Sequence, residues 1–388
     1  MVDRDYVVAT LADLVRINSV NPAFSGATTN ETEIASYVSD SLSSLGLSVV
    51  TVEPKPGRPS VIGRLAGRRS GPSLMLYAHM DTVGTDGMEH PFSARVRQGR
   101  LFGRGAYDMK GGLAACIAAV KALRERDSKL DGDVLVVAVA DEETESMGMK
   151  AVLAQVSADA AIVTEPTELE VCIAHKGFCW IDVVVTGRAA HGSRFDLGID
   201  ANMRMGRFLS ELDVLERTLR ESAGHPLVGP PSLHAAVLQG GTGPNTYAAT
   251  SRLTIERRTV PGETQDEVLE EIDAIRRRLY AADSTFQASV DLVLARPPFE
   301  VSPQASIVRT VSEVAERVRG RRPQCVGQTP WMDAAFLADQ GIETVIIGPS
   351  GAGAHAAEEW VDLDSVATLA EILVGTAISH CGAFREDD

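Results

Sequence analysis

The sequence predicts an α/β fold, with a central, mostly parallel sheet flanked by helices, interrupted by a smaller inserted α+β domain of ferredoxin-like type. Two observations carry that prediction. Short apolar runs alternate with amphipathic helical stretches, the pattern that repeated βαβ units produce. From about Gly177 the texture changes, and the order of elements becomes β-α-β-β-α-β, the split βαβ arrangement. Length agrees: the chain has 388 residues, and at roughly 150 residues per domain that suggests two or three.

The elements follow in order. Residues 31–46 place Ile34, Val38, Leu42 and Leu45 on one helical face, and Gly46 supplies the stop. Leu74–Ala78 is a short apolar run that reads as a buried strand, with His79 directly after it. Gly111–Arg126 reads as a helix with Leu113, Ile117, Val120 and Leu123 inward. Val134–Ala140 is an unbroken apolar run that leads into Asp141-Glu142-Glu143, and Ala160–Val163 leads into Thr164-Glu165-Pro166. In the inserted segment, strands are expected at Trp180–Thr186, Ala235–Gln239, Ser251–Arg257 and Gln287–Leu294. Helices are expected there at Asp200–Arg220 and Thr264–Ala282. Val345–Gly348 then restores a core strand, and Ser365–Ser379 a closing helix. The expected division is one discontinuous domain, 1–176 with 292–388, around an inserted domain, 177–291, of ordinary size.

The composition is 44% hydrophobic and 23% charged, an ordinary globular balance. A formal net charge of −16 argues against nucleic acid or an anionic membrane surface as the main partner. No apolar run reaches the ~20 residues of a membrane span. The start, Met1-Val2-Asp3-Arg4-Asp5-Tyr6, is polar and lacks the basic-then-apolar pattern of a leader. The five cysteines, Cys116, Cys172, Cys179, Cys325 and Cys381, are odd in number and show no C-x-x-C spacing, which suits free thiols in a reducing compartment. A cytoplasmic protein is expected.

Five short segments offer metal ligands or proton-handling groups: His79-Met80-Asp81, Asp108, Asp141-Glu142-Glu143, Glu165 and His355. Most sit where an apolar run ends, and sites in open α/β sheets gather at the carboxyl ends of strands. Taken singly, each has an ordinary reading. His79-Met80-Asp81 could be a surface loop, and Asp108 the N-cap of a helix after a glycine-rich turn. The three acids could be a solvated loop, Glu165 a surface glutamate, and His355 an incidental loop histidine. Taken jointly they supply what two divalent ions need. That is a carboxylate between the ions, outer ligands, and one free carboxylate to take a proton from water. Asp108 suits the bridge, Glu143 a ligand and Glu142 the general base, since two cations would relieve the repulsion among adjacent acids. His79 could ligate through one ring nitrogen, with Asp81 holding the other. The glycine-rich stretch lacks dinucleotide and P-loop spacings.

In this order the His-x-Asp, Gly-Arg-Gly-x-x-Asp-Met-Lys-Gly-Gly and Asp-Glu-Glu segments resemble a family of metallohydrolases. Its members are zinc-dependent aminoacylases, acetylornithine deacetylases, succinyl-diaminopimelate desuccinylases and glutamate carboxypeptidases. The resemblance spans nearly the whole chain. It implies two zinc ions, with cobalt or manganese able to share such ligands. His79 and Glu165 would hold one ion, Glu143 and His355 the other, and Asp108 would bridge them. Glu142 would activate the water, and Asp81 would orient His79. The inserted domain would form a homodimer, and His191, in Gly187-Arg188-Ala189-Ala190-His191-Gly192-Ser193, would reach the partner subunit's site and bind the developing oxyanion. Asn245 and Arg258 match substrate-contacting positions, and an arginine fork suits a carboxylate. Two departures bear on specificity: Gly348-Pro349-Ser350 stands where Gly-Pro-Gly is usual, and Thr246-Tyr247 follows Asn245 where an apolar-proline pair is common. The implied reaction removes an acetyl, succinyl or similar N-acyl group from an amino acid. A carboxypeptidase or dipeptidase is the alternative, since it breaks the same type of bond. The implied partner is a small N-acyl amino acid or dipeptide. A non-catalytic binding relative is disfavoured because every ligand and the base are present.

Overall fold

In a computed structural model, the structure describes residues 2–382 apart from positions 27, 127 and 129. The chain forms two compact units. The first comprises Met1–Ile173, Val301–Val326 and Met332–Asp388, and the second Ala174–Glu300 and Gly327–Trp331.

The first unit is built on a mixed sheet. Its strands lie in the spatial order Ser48–Val52, Ser60–Leu65, Val134–Val139, Leu74–His79, Ala160–Val163 and Glu343–Ile346, with Cys172 paired to Ile346 beyond them. The four strands beginning at Val134, Leu74, Ala160 and Glu343 run parallel, and the first two are antiparallel additions. The parallel strands read LMLYAH, VLVVAV, AAIV and ETVI, and nearly every residue in them is buried. Burial on both faces explains why they lack the alternation of a half-exposed strand. The helix Leu363–His380 packs on both Gly111–Glu125 and Ser306–Arg319. Close approach is enforced at Gly112, where a Cβ would lie 2.4 Å from the carbonyl oxygen of Thr164. A small antiparallel sheet, Gly351–Ala352, Trp360–Asp362, Arg100–Phe102 and Arg95–Arg97, flanks the loops beyond the strands.

The second unit holds the strands Gly177–Thr186, Ser232–Gly240, Thr250–Thr259 and Gln287–Arg296, and the helices Ala201–Glu221 and Gln265–Ala282. The spatial order is Ser232, Thr250, Gly177, Gln287, all antiparallel, as in a ferredoxin-like sheet. Alternation is clear along the strand from Gly177: Cys179, Ile181, Val183 and Val185 are buried against Met205, Phe208, Ile272 and Ile275. Trp180 and Thr186 point to the opposite, exposed face. Asp200 caps the first helix by accepting from the N–H groups of Asn202 and Met203. Thr264 and Glu267 form a reciprocal capping box on the second.

Every expected element is present, most within about three residues of its anticipated ends. The expected helix at 31–46 is trimmed to Thr32–Ser44, with Gly46 in the left-handed region at φ 80°. Elements that the spacing leaves unassigned include the helices Arg4–Arg16 and Ser306–Arg319 and the strands Ser48–Val52, Ser60–Leu65 and Val171–His175. None of the five cysteines forms a disulfide, and only Cys325 is exposed. Among the described residues, no helix is long and apolar enough to cross a membrane.

Candidate metal centre

Six side chains gather beyond the carboxyl ends of the parallel strands of the first unit. His79 ends the strand Leu74–His79. Glu142 and Glu143 follow Val134–Val139, Glu165 follows Ala160–Val163, and His355 lies in the loop after Gly351–Ala352. Asp108 comes from the turn Ala106–Lys110, which Gly105 enters with a left-handed φ of 80°. Asp108 does not cap the following helix, whose first turn starts after Lys110. Its carboxylate turns instead to both histidines. Oδ1 stands 3.2 Å from His79 Nε2, and Oδ2 stands 3.3 Å from His355 Nε2. His79 Nε2 also lies 3.5 Å from Glu165 Oε1, and His355 Nε2 lies 3.1 Å from Glu143 Oε2. The ligand atoms of His79, Asp108 and Glu143 fall within 4.8 Å of one another, as do those of His79, Glu142 and Glu165.

The cluster is electrostatically costly as it stands. Burial pushes the carboxyls of Glu142 and Glu165 well above the usual range, and neighbouring carboxylates add to it. Glu143 is raised by burial and by Asp108. Burial alone would raise Asp108 too, but hydrogen bonds from His355 and His79 hold it below the usual carboxylate range. Those same bonds to Asp108 and Glu143 push His355 up to about 10. His79, which burial would lower, is held well above its ordinary value by Glu165 and Asp108. Protons on imidazoles and carboxyls thus balance charge where cations would do so more effectively. The donor set of imidazole nitrogens and carboxylate oxygens fits zinc, cobalt or manganese. Glu143 Oε1 is buried without a hydrogen-bond partner among the described residues, as an oxygen meant for a cation would be.

Asp81 is fully buried. Its Oδ1 accepts the N–H of Glu142 at 3.1 Å, and its Oδ2 accepts the N–H of Glu143 at 3.2 Å and Asn21 Nδ2 at 2.8 Å. The group nearest His79 Nδ1 is the main-chain carbonyl of Asp81, at 2.9 Å, while Oδ1 stands 3.7 Å away. Asp81 therefore orients the ring through its backbone and braces the acidic turn with its carboxylate.

Further residues support the centre without any periodic signal in the chain. Asn21 Nδ2 also donates to Asp141 Oδ1 at 3.0 Å, which receives Arg58 Nη2 at 2.6 Å. Arg58 meets Glu31 through two bonds of 2.7 Å, buried on both sides. Tyr77, two residues before His79, donates to Asp333 Oδ2 at 2.6 Å; both are buried, and burial raises Asp333 to about 6. Lys110 is buried, donates to the carbonyl of Ile17 at 2.9 Å, and is lowered by burial to about 7. The Asn21-Pro22 turn and the lysine of the glycine-rich stretch are the only local hints of these roles.

His191, Asn245 and Arg258 belong to the second unit. The N–H of Gly192 donates to the carbonyl of Asn245 at 2.7 Å, and His191 forms a β-bridge with Thr246, so the two loops lie together. His191 Nδ1 is 2.8 Å from Ser193 Oγ, and the ring is exposed. Arg258 donates through Nε to Glu256 Oε1 at 2.7 Å and lies over the Phe178 ring, 5.1 Å from its centroid.

Comparison with known proteins gives a consistent result. The chain is 30% identical over 317 residues to an acetylornithine deacetylase of Myxococcus xanthus, covering 80% of each chain. It is 28% identical over 390 residues to an N-formyl-4-amino-5-aminomethyl-2-methylpyrimidine deformylase of Bacillus subtilis, covering 92% of this chain and 91% of that one. A crystal structure of a dinuclear metal-binding peptidase from Bacillus subtilis superposes with a TM-score of 0.75 at 18% identity, over 97% of this chain and 98% of that chain. The family model for peptidase family M20/M25/M40 matches residues 75–379, a stretch that contains all six clustered side chains, and the chain belongs to that family.

Proposed function

We propose that this chain is a two-metal amidohydrolase that removes an N-acyl group from an amino acid. The observation that carries the reading is the placement of Asp108, one oxygen toward each histidine, between two sets of outer ligands. His79 and Glu165 would hold one ion, Glu143 and His355 the other, and Asp108 both; zinc is the expected metal. When bound, the ions polarise the amide carbonyl and make water more acidic. Glu142 accepts the proton of the attacking water and returns it to the leaving amine. Its buried setting favours the protonated form and so suits a group that must hold a proton between those steps. By the family resemblance, His191 of one copy would stabilise the developing oxyanion in the site of the other, Asn245 would contact the substrate, and Arg258 would bind the amino-acid carboxylate.

The deacetylase and deformylase relatives support an acyl-amine substrate of small acyl group. The test is amine release from N-acetyl, N-succinyl and N-formyl amino acids and from dipeptides, with and without added zinc or cobalt. Metal-dependent release from one acyl class identifies the substrate type. Release from dipeptides alone would replace the deacylase by a dipeptidase. Glu142→Gln should retain both ions and lose about 10²–10⁴-fold in kcat; near-normal turnover at full metal occupancy would remove Glu142 from the role.

We further propose a homodimer formed through the second unit. Its edge strand Ser232–Gly240 is hydrogen-bonded on one side by Thr250–Thr259 and exposes Val237 and Leu238. Phe195, 82% exposed, projects from the loop that carries His191. An open edge beside apolar side chains is a surface that a second copy can cover.

A further inference from the structure

Glu359 is fully buried and sits immediately before the strand Trp360–Asp362, four residues past His355. Its carboxylate takes four donors. Oε1 accepts the N–H groups of Tyr107 at 2.9 Å and Asp108 at 3.0 Å. Oε2 accepts the N–H of Gly105 at 3.0 Å and Arg104 Nη1 at 2.7 Å. Its main-chain carbonyl accepts the N–H of Gly103 at 3.1 Å. One residue therefore holds the turn from Gly103 to Asp108 along its length. Arg104, also buried, extends its fork to two other loops: Nη2 donates to the carbonyl of Ala356 at 3.0 Å, and Nε donates to that of Gly84 at 2.9 Å. Ala356 adjoins His355. The Arg104–Glu359 pair thus fastens the turn that presents Asp108 to the loop that presents His355. Among the described hydrogen bonds, neither side chain pairs with the side chain of a proposed ligand or of Glu142.

The two halves of the centre depend on this fastening unequally. His79 ends a buried parallel strand and Glu165 closely follows another, and His79 Nδ1 is fixed by the carbonyl of Asp81. Among the described residues, His355 follows no buried parallel strand and its Nδ1 has no bond like that of His79. It lies in a loop with a left-handed φ of 61°, and 55% of its side chain is exposed. Carboxylate and imidazole ligands must be held to about half an ångström for tight binding, and beside His355 the described restraints are the bond from Arg104 to the Ala356 carbonyl and that from the Ala356 N–H to the Gly353 carbonyl at 2.9 Å.

We propose that Glu359, acting with Arg104, is a positioning residue that sets the separation of the Asp108 carboxylate and the His355 imidazole, and so selectively sustains the ion held by Glu143 and His355. The inference rests on the two-metal reading above. Glu359→Gln keeps the shape but turns an NH₂ group toward donors, whichever way the amide lies. Arg104→Lys keeps the charge but loses the fork that reaches Ala356 and Gly84.

The test is calorimetric titration of the metal-free full chain with Zn²⁺, with Co²⁺ absorption spectra as a second readout and circular dichroism as a check of folding. Wild type should take up two ions. Glu359→Gln should bind the first with little change and the second about 10–100-fold more weakly, the usual cost of losing a group behind the ligands. Arg104→Lys should shift the same ion in the same direction. Turnover of both variants should return toward wild type as metal is raised, with KM unchanged. Equal weakening of both ions, or two unaltered affinities, would overturn the inference. So would variants that both fail to fold, because the pair would then be a general structural support. Wild type taking up fewer than two ions would overturn the two-metal reading itself, a result distinct from any of these.

Discussion

His355 shows most directly how single residues carry the charge balance of the centre. Its metal-free value of about 10 lies above the ordinary 6.5, because Asp108 and Glu143 accept its proton bonds. A histidine raised on folding adds stability that is complete below about pH 6.5 and is lost as pH climbs toward 10. The raised carboxyls of Glu143 and Glu165 act in the same direction, since they too favour the protonated folded state. The chelated chain should therefore lose thermal stability steadily from pH 6.5 to 9, and bound metal should flatten that slope by taking the place of the protons. Melting curves across this range, with chelator and with metal, give the answer; a flat or rising trend in the chelated chain would show that His355 does not pair as described. At this scale the clustered residues were legible because apolar runs end at His79, Asp141 and Glu165, and strand ends in such sheets converge. Asn21, Arg58, Glu31 and Glu359 were not, nor was the role of Asp333. Each acts through a contact between distant parts of the chain, such as Tyr77 with Asp333 or Asn21 with Asp81, that no local spacing encodes.

Among the elements, legibility followed burial pattern. The strand from Gly177 and the helix from Gln265 carry clean alternation or clean caps, and both were located from the sequence. The strand Ser60–Leu65 was not, because SVIGRL is interrupted by Gly63, whose missing Cβ leaves room for Leu42. The helix Ser306–Arg319 is rich in β-branched residues, which weakens helix propensity, yet Ile307, Val308, Val311 and Val314 all face inward. Packing decides its form. Capping matters more where a helix has one supporting sheet, as in the second unit. Thr264→Ala removes the side chain that accepts the N–H of Glu267 and should cost about 1 kcal/mol of stability, measurable by denaturant unfolding. The metal content should be untouched, since the ligands belong to the other unit.

For the whole molecule, the proposed assembly makes a measurable claim. Light scattering of the purified chain should give twice the 41.3 kDa chain mass, and a charge placed at the exposed Val237 or Leu238 should shift it toward the single-chain mass. A monomer at micromolar concentration would refute the edge-strand interface. Dimerisation is implied by the family resemblance alone, whereas the inserted domain is legible in the β-α-β-β-α-β order of elements that begins near Gly177.

The first unit is assembled from stretches on either side of the second, and this has a temporal consequence. The chain leaves the ribosome from its amino end, and domains tend to fold as units as they emerge. The strands Leu74–His79, Val134–Val139 and Ala160–Val163 appear early, whereas their parallel neighbour Glu343–Ile346 and the loop with His355 appear only after the second unit has been made in full. Through that interval Ala160–Val163 waits with one edge unpaired. The second unit, with its own core, can fold in the meantime. Pairing of Glu343–Ile346 with Ala160–Val163 and the arrival of His355 beside Asp108 and Glu143 then belong to the same stage, after the four strands of the second unit have been made.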